Sequence, residues 1–157
     1  MTRVRRPTGA PPPQAATLVD GRVVRLGPLA ELVARRYGQH YPDEVERYGP
    51  EGREWCVHDN LHLLAWAFGA HDGAVVFEEQ VLWLARVLAS RDYPLERLAH
   101  DLRIAADVVV AERVPEAEAV ATILLGGATA VQASVDGGSR SDPTAPARPA
   151  RAPDHPG

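Results

Sequence analysis

At 157 residues, 45% of them hydrophobic, the chain is long enough for one domain with its own core. Its net charge of −4 argues against a nucleic-acid binder, whose domains usually carry a strong basic excess. A single cysteine excludes an intramolecular disulfide and fits a reducing compartment, no apolar run approaches the roughly eighteen residues that span a bilayer, and no apolar stretch follows the N-terminal charges as a signal peptide requires. A soluble, cytoplasmic protein without membrane contact is expected. All 17 basic residues are arginine, a mark of coding bias; Arg3, Arg5 and Arg6 read as part of a solvated tail.

In chain order, residues 1–17 are rich in Pro, Ala and Arg without apolar periodicity and are expected to be a disordered tail. Leu18 to Val24 enclose an Asp20-Gly21 turn between short apolar pairs, a small hairpin. Pro28 suits the first turn of a helix whose apolar face is Leu29, Leu32, Val33 and Tyr37, ending near Gly38. A short helix from Pro42 to Tyr48 is stopped by Gly49-Pro50. A longer one follows from about Glu51 to Gly69, with a core face of Val57, Leu61, Leu64 and Phe68. His71-Asp72-Gly73 is a turn.

The next helix, about Ala74 to Arg91, carries Phe77, Val81, Leu84 and Leu88, and Val76, Trp83 and Val87 widen that stripe toward burial on two sides. Asp92 reads as an N-cap for a helix that has Pro94 in its first turn and Leu95, Leu98, Leu102, Ala105 and Val109 on its core face. Pro115 opens the last helix, with Val120, Ile123, Leu124 and Val131 apolar and Gly126-Gly127 permitting a kink or a close helix contact. Residues 135–157 read as a disordered Pro/Ala/Arg-rich tail. The expectation is an all-α domain over 18–134, a four- to five-helix bundle or globin-like packing between two tails.

The segment Glu54 to Phe68 concentrates the chemistry. Glu54, His58, His62 and Trp66 recur every four residues and form one helical stripe. His58-Asp59-Asn60-Leu61-His62 resembles the zinc-protease helix, but Asp59 stands where a glutamate should, and a third ligand would have to come from Glu78, Glu79 or His100. His58 and His62 could share a divalent metal, or one could ligate haem beside Trp66; histidines at the edge of a packed helix are the simpler account. Three His-Asp pairs (His58-Asp59, His71-Asp72, His100-Asp101) allow an HD-type phosphohydrolase with His58, His100-Asp101 and Asp107, although the flanking pattern is absent. Cys56 sits two residues from His58, off its face, and reads as a small buried or half-buried thiol. Trp55, His58, His62, Trp66, Phe77 and Trp83 are the candidates for a ligand pocket or interaction surface, and no catalytic residue is assigned.

From Asn60 to Val110 the order of helix, Gly-His-Asp type turn, Val-Phe-x-x-x-Val-x-Trp-Leu and Arg91-Asp92-Tyr93-Pro94-Leu95-Glu96-Arg97-Leu98 resembles the non-haem, globin-like sensor domains of stressosome proteins. Helical segments that accompany cobalamin-binding domains look broadly similar. The resemblance covers about a third of the chain. It implies a non-catalytic bacterial regulatory module that responds to a ligand or a protein partner, dimerises through an apolar face and needs no cofactor. Such domains are usually fused to an output domain, and after Ser134 only the tail is expected here.

Overall fold

The computed structural model describes residue 7 and residues 9–140. The expected tails of residues 1–17 and 135–157 lie mostly outside these residues, but both boundaries move outward where they are described. A two-stranded antiparallel ribbon pairs β1 (Ala15–Thr17) with β2 (Val23–Arg25), Ala16 opposite Val24. The hairpin is therefore real; its first arm begins at Ala15, three residues before Leu18, and its second at Val23, where the apolar pair placed it. Gly21 takes φ +87° in the turn, where a side chain would be strained. Leu18 and Val24 are buried and anchor the ribbon to the core, and Leu26 N–H bonds Gln14 C=O at 2.9 Å.

Five helices form the body: α1 (Leu26–His40), α2 (Asp43–His71), α3 (Phe77–Ala89), α4 (Leu95–Ala111) and α5 (Ala117–Arg140). The fold is all-α, with the ribbon as its only sheet among the described residues. α4 lies at the centre, packed along α5 on one side and α1 on the other; α2 packs on α1 and α5, and α3 on α5. The periodicity explains this placement. In α4 the residues Leu98, Leu102, Ala105 and Val109 are buried, and Ala99, Ile104, Ala106 and Val108 widen the stripe until α4 touches neighbours on two faces.

Helix ends are set by backbone geometry. Asp92 does not cap α4. It terminates α3 in the left-handed region at φ +57°, where its N–H bonds Ala89 C=O at 3.0 Å and Tyr93 N–H bonds Leu88 C=O at 3.1 Å. That pair of bonds is the Schellman ending. Gly73 ends α2 the same way, with bonds to Ala70 and from Ala74 to Gly69, so the stop is Gly73 and not Gly69. The two segments expected on either side of Gly49-Pro50 run on as α2, joined by a kink at Gly49 with φ 67° and ψ −163°.

Val76 and Trp83 are exposed, so α3 is buried along one stripe and not two. Gly127 is the close contact allowed by the glycine pair, and no residue of α5 takes a positive φ. A Cβ on Gly127 would lie 2.4 Å from the ring of Phe77, whereas Gly126 has open space around it. Gly127→Ala should therefore lose roughly 2 kcal/mol by overpacking, and Gly126→Ala should gain up to about 1 kcal/mol of helix propensity. Urea unfolding of the two variants checks the contrast; equal stabilities would show that the α3–α5 contact is loose.

Over Ala117–Gly138, α5 is long and apolar enough to cross a membrane by length and composition, with a mean hydropathy of 1.3. No unbroken apolar run marks it in the sequence, because Glu118, Thr122, Gly126-Gly127, Thr129 and Gln132 interrupt it. Val120, Leu124, Ala128 and Val131 on this helix are buried against the bundle.

Candidate functional site

α2 presents two adjacent faces with different chemistry. On the outer one the rings form a chain: Trp55 to His58 at 5.1 Å between centroids, His58 to His62 at 4.9 Å, His62 to Trp66 at 5.6 Å and Trp66 to Trp83 of α3 at 6.5 Å. Five of the six expected residues thus lie in one belt. Phe77 does not join it, because its ring is buried against Gly127. His58 Nδ1 lies 3.3 Å from Asp59 Oδ1, and burial together with His58 holds His62 below the usual histidine range. Among the described residues, no three His, Cys, Asp or Glu side chains are gathered as a metal site. The HD set is scattered: His100 Nδ1 pairs with the Tyr41 hydroxyl at 2.6 Å, Asp101 is buried, and Asp107 is exposed.

The other face of α2 lines a cavity of about 340 Å³. Gly52, Cys56, Asp59, Asn60 and Leu63 form its floor at helical spacing; Tyr37 of α1, Arg91 and Tyr93 of the α3–α4 connection, and Leu98 and Asp101 of α4 complete the walls. Trp55 reaches both the belt and the cavity. It is the one expected pocket residue that lines it.

Two buried polar groups meet at the bottom. Asn60 is 1% exposed and Asp101 6%, values at which a polar side chain must be hydrogen-bonded or costly. The Asn60 amide nitrogen donates to Asp101 Oδ1 at 3.2 Å and to the Cys56 carbonyl at 3.0 Å. Two acceptors on that nitrogen fix the amide's orientation. Asn60 Oδ1 is then left enclosed with no partner, a deficit of about 1–3 kcal/mol. Burial pushes the Asp101 carboxyl up to about 7; the Asn60 hydrogen bond opposes this, while Asp59 and Glu44 add to it. Burial, Asp101 and Asp59 also push the Cys56 thiol up, so it is a neutral thiol and not a nucleophile.

The rim is tied by ionic and phenolic bonds. Tyr37 O–H donates to Glu44 Oε1 at 2.5 Å, Tyr37 and Tyr93 share a hydroxyl–hydroxyl bond, and Arg97 donates to Glu44 at 2.9 Å and to Asp43 at 3.0 Å. Burial and their mutual contact with Glu44 keep both phenols protonated well above the usual range. The Arg97 guanidinium also sits 4.3 Å from the Tyr41 ring centroid, a cation–π contact. These bonds hold the first segment of α2 over the cavity as a fixed wall.

No known protein family, curated protein or solved structure matches the chain. Its chemistry has to be argued from the cavity itself. Its lining holds a protonated thiol, three tyrosines and the carboxyls of Glu44, Asp59 and Asp101, and no nucleophile there is hydrogen-bonded to a base as a catalytic couple requires. What the arrangement does supply is a half-open, mostly apolar space with a buried Asn–Asp pair at its end, which is the make-up of a small-molecule site. The sequence reading missed it because it followed the histidines. The signal was available in Cys56-x-x-x-Asn60-x-x-Leu63, and in Asp101 standing three residues after Leu98 and one before Leu102, an acid on the core stripe.

Proposed function

We propose that the protein is a non-catalytic, cytoplasmic regulatory module that senses a small ligand bound in the cavity between α2 and α4. The observation that carries this reading is Asn60 Oδ1, a fully enclosed acceptor left open beside a buried carboxylate. A protein that needed only stability would fill such a space with leucine or methionine; unmet polar groups in a cavity are the usual cost of a binding site. The resemblance to globin-like sensor domains supports the same reading. Output then passes to a protein partner or to a second copy of the chain, for which exposed Trp83 and Leu125 offer apolar anchors.

The test is a panel of neutral, cationic and anionic single-ring fragments titrated into the ¹⁵N-labelled full chain. Saturable shifts at the Asn60 side-chain amide, Leu63 and Leu98 are expected for at least one class. They should weaken in Cys56→Met, which extends a lining side chain into the space. Shifts confined to the Trp66–Trp83 belt, or no shifts with any class, would reject the cavity as the site.

A further inference from the structure

We propose that the cavity takes a small organic cation, an ammonium or amidinium on an apolar or aromatic body, whose N–H groups bond the Asp101 carboxylate. The inference rests on the cavity being a ligand site and adds the ligand's chemical class.

Hydrogen-bond inventory comes first. Asp101 receives one bond, from Asn60, at one carboxyl oxygen, and the unpartnered Asn60 Oδ1 behind it supplies no donor. Once Asp101 is ionised, above about pH 7, a ligand meeting it must bring donors. An ammonium carries three donors and an amidinium a planar set of four, and neither has an acceptor to set against the carboxylate.

Charge points the same way. The titratable groups sharing the cavity with Asp101 are Tyr37 of α1, Glu44, Tyr48, Cys56 and Asp59 of α2, and Arg91 and Tyr93 of the α3–α4 connection. Three carboxyls face one guanidinium, and Glu44 is already matched by Arg97 from outside. An anion would enter against Asp59 and Asp101; a cation relieves their repulsion. Trp55 and Tyr48 add aromatic lining, although the Tyr48 ring already carries the Arg47 guanidinium at 5.8 Å. Leu63, Leu88 and Leu98 supply apolar wall for the rest of the ligand. The volume of about 340 Å³ is at the small end of ligand sites, which suits one ring with a short substituent.

Binding and protonation are linked. Free Asp101 holds its proton up to about pH 7, and a cation favours the ionised form. Affinity should fall as pH drops from 8 to 6, because the cation must then displace a proton.

Benzamidine, benzamide and benzoate are matched in shape and differ in charge and donor pattern, so they serve as probes, titrated calorimetrically into the full chain at pH 8 with the fragment up to about 10 mM, where ligands of this size bind measurably. Benzamidine should bind at least roughly tenfold more tightly than benzamide, since a charge-assisted bond replaces a neutral one, and benzoate should not bind. In Asp101→Asn, which keeps an acceptor for Asn60 and the shape of the site, the preference for benzamidine should collapse to about twofold or less. Equal or better binding of benzamide in the wild type would overturn the cation proposal and leave the ligand-site reading standing. No binding by any of the three would overturn both. An unchanged preference in Asp101→Asn would place the cation elsewhere and overturn the proposal on its own.

Discussion

Asp101→Asn is expected to stabilise the protein at pH 8, by as much as roughly 4 kcal/mol. The folded state raises this carboxyl from its ordinary 3.8 to about 7, and each pH unit of difference corresponds to 1.36 kcal/mol between the protonation states. The sign follows from linkage. Between pH 4 and 7 the unfolded chain has released this proton and the folded chain retains it, so unfolding releases a proton and stability declines as pH rises. The contribution is intact below about pH 4, is lost progressively to about pH 7, and is absent above it. Asparagine cannot ionise and still accepts the bond from Asn60. Water reaching the cavity trims the figure without changing its sign. Urea midpoints of wild type and variant at pH 5, 6, 7 and 8 check it: the variant's advantage should be small at pH 5 and grow with each step. A variant less stable than wild type at pH 8, or a gap independent of pH, would show that Asp101 is paired by something the cavity supplies.

This pH signature bears on function. A buried carboxylate with a strongly raised pKa beside a cavity is a pointer to a functional site. A cation that binds ionised Asp101 restores the lost interaction and raises stability with its own concentration, by mass action. On the proposed reading, ligand occupancy would bear directly on the Asn60–Asp101 bond that links α2 to α4, the physical readout such a module would need.

Much of the fold was legible because helix faces repeat. Leu29, Val33 and Tyr37, or Leu98, Leu102, Ala105 and Val109, recur at helical spacing and are all buried. Interruptions were legible where proline and glycine coincide, as at Gly49-Pro50. Ends set by non-glycine residues were not: Asp92 looks like a cap, because its side chain suits one, yet the backbone uses it in the left-handed region to close α3. The candidate site was the least legible part. His58 and His62 stand out by residue type, and the structure does place them side by side. The cavity is made by the neighbouring stripe of α2, and only tertiary placement tells that Asn60 meets Asp101, 41 positions away. A polar residue on an apolar stripe was the sequence's real pointer, and it is weaker to the eye than a histidine pair.

The cavity's outer wall depends on the kink in α2, and Gly49→Ala is expected to cost about 3 kcal/mol. At φ 67° and ψ −163° the residue occupies a region open essentially to glycine alone, where other residues cost on the order of 1–3 kcal/mol. Pro50 contributes by disfavouring helical geometry at the residue before it, so the chain turns here and the segment from Asp43 to Tyr48 folds back over the cavity. Room is as tight as angle: a Cβ on Gly52 would lie 2.5 Å from that of Tyr48 across the bend, and Gly52→Ala should be destabilising too. Straightening the kink would carry Glu44 away from Arg97 and Tyr37, dissolving the bonds that hold the wall. Gly38 in α1 is the internal control. Its helical position has open space and no positive φ, so Gly38→Ala should gain roughly 0.5–1 kcal/mol through helix propensity. Urea unfolding of the three variants, made in a background with Trp66 and Trp83 replaced by phenylalanine so that Trp55 alone reports on the cavity wall, should show one gain and two losses, the losses accompanied by a shift in the emission of the folded state. Three small gains would mean that the bend is soft and that the cavity is not held by α2's own backbone.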